Sequence, residues 1–199
     1  ASLPELITKA VLELNSLPEL QGRLGIHAHN DLELAVANSL AAVSSGAVLV
    51  QGTINGYGER TGNANLVSVA PTLETIGYNT HVHLPELTRV SKRIDELLNR
   101  SSNPNQPYVG SHAFAHKGGM HASGVLKDSS TFEHIDPEVV GNRRHIAPSE
   151  LSGQATMRAF ASLSNLELTE SELAAAVRLL KEKEAEGFSY ESAEASFEL

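Results

Sequence analysis

The chain has 199 residues, 41% of them hydrophobic and 20% charged, with a formal net charge of −9 and no cysteine. This is ordinary globular composition, enough for one or two cores; the acidic balance argues against a nucleic-acid partner, and the absence of thiols leaves only nitrogen and oxygen ligands for any metal. No apolar run approaches the ~20 residues a membrane span needs and no signal-peptide pattern is present, so no membrane partner is expected and a cytoplasmic protein fits.

Ser2-Leu3-Pro4-Glu5 reads as a helix start, with Ser2 as cap, Pro4 in the first turn and an apolar stripe of Leu6, Ala10 and Leu14 behind it. Leu17-Pro18 to Gly22 is a connection. Leu24-Gly25-Ile26 then runs into His27-Ala28-His29. In an extended strand, residues i and i+2 share a face, so His27 and His29 are expected side by side, with Ile26 and Ala28 opposite. The spacing suits either a metal-binding pair or a structural pair hydrogen-bonded near a strand end. Asn30-Asp31 follow at the turn, and Leu32, Val36, Leu40 and Val43 form a helical stripe. Gly46 is placed as the left-handed residue after that helix. A second apolar run, Ala47 to Val50, leads into Gln51-Gly52-Thr53. Strand, helix and strand make one βαβ unit, whose strand ends are where α/β folds place their chemistry. The second strand opens into Asn55-Gly56-Tyr57-Gly58-Glu59-Arg60-Thr61-Gly62-Asn63, a glycine-rich loop that lets backbone approach a ligand.

Leu66, Val69, Ala70, Leu73 and Ile76 mark the next helix, stopped at Gly77. His81 and His83 form a second H-x-H, but Asn79-Thr80 before them and Leu84-Pro85 after them read as a helix entry. Leu87, Val90, Ile94 and Leu97 give a long amphipathic helix. Ser101 to Pro107, with Pro104-Asn105-Gln106-Pro107, is a hinge-like linker expected to separate two units. Beyond it lies an imidazole-rich run, Ser111 to His121, which holds His112, His116, Lys117 and Gly118-Gly119; Met120 to Lys127 is expected to be helical. Glu133 to Glu138 is a turn before a short helical piece ended by Gly141-Asn142. Met157, Phe160 and Leu163 mark an inward helix face. Thr169-Glu170-Ser171-Glu172 is a capping box that opens a helix with Leu173, Ala176, Val177 and Leu180 on its apolar side. Gly187 stops it, and Ser192 to Leu199 reads as a further helix.

These segments together carry a resemblance. H-x-H-N-D at His27, then A-N-S-x-x-A at Ala37, then G-T-I-N-G-x-G-E-R-x-G-N ending at Asn63 resemble the isopropylmalate, homocitrate and citramalate synthase family. The likeness continues through FAHKGGMHASGVLKD, EHIDPEVVGN, SELSG and AEASFEL, closest to the citramalate synthase branch. It implies an α/β fold: residues 1–100 as the C-terminal part of a TIM (β/α)8 barrel, and residues 101–199 as a mostly helical linker or lid region before a regulatory domain. The HAHND strand resembles the seventh barrel strand, and a whole barrel takes about 250 residues. The sequence is therefore expected to be the C-terminal part of a larger enzyme, without the family's upstream carboxylate ligand.

The resemblance further implies a divalent metal, Mg, Mn or Zn, held by His27 and His29, with Asn63 adding an oxygen; the other reading of Asn63 is a helix cap. The ion would polarise the ketone of a 2-oxo acid, pyruvate or 2-oxoisovalerate, for attack by the enolate of acetyl-CoA, and thioester hydrolysis would follow. His121 matches the family's lid histidine, a candidate acid or base. Glu59 and Gly62 are assigned to the cofactor edge of the loop, with Arg60 ordering it. Lys117 is read as a solvated lysine or a contact for CoA phosphate. A homodimer is implied. The rival readings are a related barrel lyase and an inactive interaction module.

Overall fold

The computed structural model describes residues 3–116, 121, 124–125, 127–146, 152–164, 166–188 and 190. The chain divides into two compact units, Ala1–Asn103 with Pro107–Gly110, and Pro104–Gln106 with Ser111–Leu199. No helix among the described residues is long and apolar enough to cross a membrane.

The first unit is organised on a βαβ crossover. Strand β1 (Gly25–His27) pairs in parallel with β2 (Leu49–Gln51), Ile26 opposite Val50 and His27 opposite Gln51. Parallel neighbours need a crossover, and helix α2 (Ala35–Ser44) supplies it. Gly46, φ 111°, takes the left-handed turn after α2, as its position predicts. Helix α3 (Leu66–Thr75) closes the layer: Ala35, Ala64, Val69 and Leu73 form the core, with Ala28, Val36, Leu40, Val43 and Val50 packed against it. A 3₁₀ turn at Leu84–Glu86 follows His81 and His83, and helix α4 (Leu87–Leu97) follows the turn. The second H-x-H thus sits at a helix entry.

Three expectations need correction. Helix α1 (Pro4–Asn15) is capped by the backbone of Leu3, with no side-chain cap; Ser2 lies outside the described residues. Its half-buried face is Ile7, Val11 and Asn15, while Leu6 and Leu14 are exposed. Both stripes obey the same i, i+4 spacing, and a helix apolar over most of its circumference does not choose between them by period. In α2 the expected Val36, Leu40 and Val43 do pack against the core, but the fully buried positions are Ala35, Ser39 and Ala42, because small side chains allow the closest approach; Leu32 precedes the helix and is exposed. In α4 the buried face is Leu87, Ser91 and Asp95, and Leu97 is exposed.

In the second unit, β3 (Ala115–His116) and β4 (His145–Ile146) pair in parallel. Short 3₁₀ turns at Ser129–Thr131 and Pro137–Val140 lie between them, the second ended by left-handed Gly141. Helices α5 (Gln154–Leu163) and α6 (Glu170–Ala185) pack Met157, Ala159 and Phe160 against Leu173 and Leu180, with Ile146 completing the core. The capping box is formed in both directions: Thr169 accepts from the Glu172 amide, and Glu172 accepts from the Thr169 amide at 2.7 Å. Of the helix expected over Met120 to Lys127, the described positions His121, Gly124, Val125 and Lys127 are helical. Lys117 to Met120 and the expected C-terminal helix lie outside the described residues.

Candidate metal centre

The i, i+2 spacing works out as geometry demands. Ile26 and Ala28 are half-buried toward the core, while His27 and His29 emerge on the other, exposed face. Their ring centroids stand 5.2 Å apart, edge to face. The glycine-rich loop returns along this strand end. Asn30 donates its amide to Gly62 O and Ala64 donates to Ala28 O, both at 2.9 Å, and His29 and Asn63 form an antiparallel bridge between them. Asn63 is thereby fixed beside the imidazoles, 8% exposed, and its Nδ2 donates to His27 Nε2 at 3.1 Å. It is not the cap of α3: Asn65 takes that role, accepting from the Val67 amide.

Two glycines make this approach possible. A Cβ on Gly58 would lie 1.9 Å from Asn63 Oδ1, and one on Gly62, at φ +95°, would lie 2.0 Å from Gly56 O. The predicted Gly62 is therefore a backbone residue of the cup, its carbonyl already used by Asn30. Glu59 is exposed, and its carbonyl accepts from the Gly62 amide at 2.9 Å, closing the turn. Arg60 orders the loop as read from sequence: Nε and Nη2 donate to the two oxygens of Asp31 at 2.8 and 3.0 Å. The Arg60 hydrogen bond holds the Asp31 carboxyl below its usual range.

The donors suit an ion of borderline hardness. Two imidazoles bind as neutral ligands, and a carboxamide binds through oxygen, which requires the Asn63 amide turned end for end from its present contact with His27. Among the described residues no group of three or more histidines and carboxylates converges on a metal position. Asp31, on the turn after His29, has both oxygens engaged by Arg60. A cavity of about 260 Å³ borders the pair, walled by Ile7, Leu32 and Leu34, so the imidazoles are reachable without backbone movement.

Sequence reasoning missed the polar network behind the loop. Asp95 on α4 is 3% exposed. Its Oδ1 accepts from Asn55 Nδ2 at 2.6 Å and from the Tyr57 hydroxyl at 2.7 Å. Ser91 Oγ donates to Asn55 Oδ1 at 2.7 Å, and the Arg100 guanidinium lies 4.7 Å from the Tyr57 ring centre. Burial opposes ionisation of Asp95, yet hydrogen bonds from Ser102, Tyr57 and Asn55 hold its carboxyl below the usual range. The only sequence signal was an acidic residue in register with Leu87 and Ser91 on the inward face of α4.

In the second unit His121 is exposed, its ring stacked on Phe132 at 4.2 Å and 18°. His116 is buried, with Nε2 2.9 Å from Glu133 Oε1. Arg144 donates to both oxygens of Glu133, at 2.8 and 2.5 Å. Burial works against ionisation of Glu133, but the Arg144 and His116 hydrogen bonds keep its carboxyl below its ordinary range. His112 Nδ1 lies 3.2 Å from Asn105 Oδ1.

Residues 3–94 match the HMGL-like family, and residues 108–187 match the homocitrate synthase post-HMGL domain-like family. The (R)-citramalate synthase of Aquifex aeolicus is 49% identical over 181 residues, covering 88% of this chain and 34% of that protein. The (R)-citramalate synthase of Synechocystis sp. is 46% identical over 204 residues, covering 99% and 37%. A solved HMG-CoA lyase in complex with coenzyme A and 3-methylmalate shares 26% identity at a TM-score of 0.45, covering 51% of this chain and 35% of its own. The chain spans about a third of the length of the curated relatives it matches.

Proposed function

The chain belongs to the family of the citramalate, isopropylmalate and homocitrate synthases, and from that membership we propose that it carries the metal-holding strand end and the lid histidine of a synthase joining acetyl-CoA to a 2-oxo acid, pyruvate foremost. The observation that carries this reading is the convergence of His27, His29 and Asn63 at the C-terminal end of a parallel strand pair. His27 and His29 would hold a divalent ion as neutral imidazoles, with the Asn63 amide oxygen beside them. When bound, such an ion supplies Lewis acidity toward the 2-oxo acid's ketone. Gly58 and Gly62 keep the cup open, and the loop from Glu59 to Gly62 forms the edge assigned to acetyl-CoA. His121, exposed and held flat against Phe132, is assigned proton transfer. A homodimer acting in the cytoplasm, in branched-chain amino acid biosynthesis, completes the proposal.

The test grafts residues 3–187 into the Aquifex aeolicus (R)-citramalate synthase in place of its matching stretch. Pyruvate- and Mn²⁺-dependent release of CoA thiol from acetyl-CoA is expected, lost in His27→Ala. A preference for 2-oxoisovalerate in the same assay would move the assignment to isopropylmalate synthesis. Release indifferent to His27→Ala would overturn the metal role.

A further inference from the structure

We propose that Asp95 is a positioning residue for Asn63: through Tyr57 and Asn55 its buried carboxylate fixes the loop that presents the Asn63 side chain to His27. The inference rests on the proposed metal role of that cluster only for its functional consequence. The hydrogen bonds of Asp95 go to Asn55, Tyr57 and Ser102, one layer behind His27, His29 and Asn63.

The chain of contacts is short. Tyr57 lies between Gly56 and Gly58, and those two residues are what Asn63 rests on. Gly56 O accepts the Asn63 amide at 2.9 Å, and the bare Cα of Gly58 faces Asn63 Oδ1. Wherever Tyr57 goes, the seat of Asn63 goes with it. Tyr57 is held at both ends: its carbonyl accepts from Thr53 Oγ1 at 2.6 Å, and its hydroxyl donates to Asp95 at 2.7 Å. Asn55, the residue before Gly56, adopts φ 60°, a conformation that costs free energy outside glycine and persists only when its surroundings enforce it. Asp95 and Ser91 enforce it. Asn55 Nδ2 donates to Asp95 Oδ1 at 2.6 Å and to Ser91 O at 3.0 Å, while Ser91 Oγ donates to Asn55 Oδ1.

A carboxylate suits this seat better than an amide. It offers only acceptors, and Asn55, Tyr57 and Ser102 all bring donors. Burying a charge for this purpose is costly unless its lone pairs are answered, which explains why three polar side chains donate to it. Residues that hydrogen-bond or brace a metal ligand act in this way, setting its orientation without touching the ion.

The test uses the chain itself, with Tyr57→Phe and Asp95→Asn. Tyr57→Phe deletes one hydrogen bond and keeps the ring, so it carries the test if Asp95→Asn fails to fold. In the metal-free proteins, two-dimensional NMR follows the Asn63 side-chain amide. Its resonances are expected to move toward free-amide positions in both variants while the methyl spectrum stays native. Zn²⁺ affinity should fall about 10–100-fold, the usual cost of losing such a partner. Asn63 resonances unmoved in Tyr57→Phe, with the fold intact, overturn the proposal. If they move but Zn²⁺ binding is the same in wild type and His27→Ala, the positioning role stands and the metal assignment is what fails.

Discussion

His27 Nε2 and the side-chain amide of Asn63 stand 3.1 Å apart across 36 residues of sequence. Neither residue type predicts the other. The contact exists because the loop after β2 returns antiparallel along the end of β1, pinned on either side of Asn63 by the Asn30–Gly62 and Ala64–Ala28 backbone bonds.

Gly58→Ala should break that relationship without breaking the fold. The added methyl would sit 1.9 Å from Asn63 Oδ1, so the amide must leave its seat. Any metal affinity that depends on Asn63 should then fall to that of Asn63→Ala, while thermal unfolding shifts little because Gly58 itself is exposed. Zn²⁺ titration of both variants checks this; wild-type affinity in Gly58→Ala would show that Asn63 is not a ligand.

In the second unit the Glu133 carboxylate is buried between His116 and Arg144. Removing one partner of a buried pair strands the other charge, so Arg144→Met should cost about 3 kcal/mol, the low end for such losses because Arg144 is partly exposed. The pH dependence has a definite sign. The Glu133 pKa is lower folded than unfolded, so its contribution is present above the ordinary value of 4.5 and is lost as pH falls through the folded value. Urea midpoints should decline below pH 4.5 in the wild type and decline less in Glu133→Gln. Equal acid sensitivity of the two proteins would remove Glu133 as the cause.

These two clusters differ in how far the sequence disclosed them. His27 and His29 were legible as a pair because a strand's period of two is local, and the Thr169–Glu172 capping box was legible because it closes within one turn. Asp95 was not, since a 3.6-residue pattern weighs apolar residues and reads an acid as solvated. Its partners Tyr57 and Asn55 lie 38 and 40 residues upstream. His116 and Arg144 are brought near each other by a strand pairing of two residues per side, and Glu133 follows the Ser129–Thr131 turn; neither element is long enough to leave a periodic trace. The inward face of α1 was ambiguous for a different reason, since two adjacent stripes carry the same spacing.

His121 is expected to affect turnover and not metal affinity. It belongs to the second compact unit, whereas the proposed ligands belong to the first. Loss of general acid–base help lowers rates by about 10²–10⁴. In the grafted synthase, His121→Ala should show that fall in kcat with an unchanged Mn²⁺ requirement. Full turnover in the variant would leave the stacked imidazole a structural neighbour of Phe132 only.

The 199-residue chain assayed by itself should not release thiol from acetyl-CoA above background. Two imidazoles and one amide form a neutral set, and among the described residues no carboxylate joins them. Hard divalent ions favour charged oxygen, so Mg²⁺ and Mn²⁺ should be held weakly. The sheet that presents these ligands has two strands, and parallel sheets are normally covered on both faces and flanked by further strands. Leu49 on β2 and Val48 before it are instead 54% and 67% exposed. An exposed apolar strand edge tends to find another strand, so the isolated chain should self-associate as concentration rises. Sedimentation across a concentration series, run beside the thiol assay with pyruvate and Mn²⁺, checks both parts. Metal-dependent release well above a His27→Ala control would show that this donor set and this sheet are sufficient for the reaction.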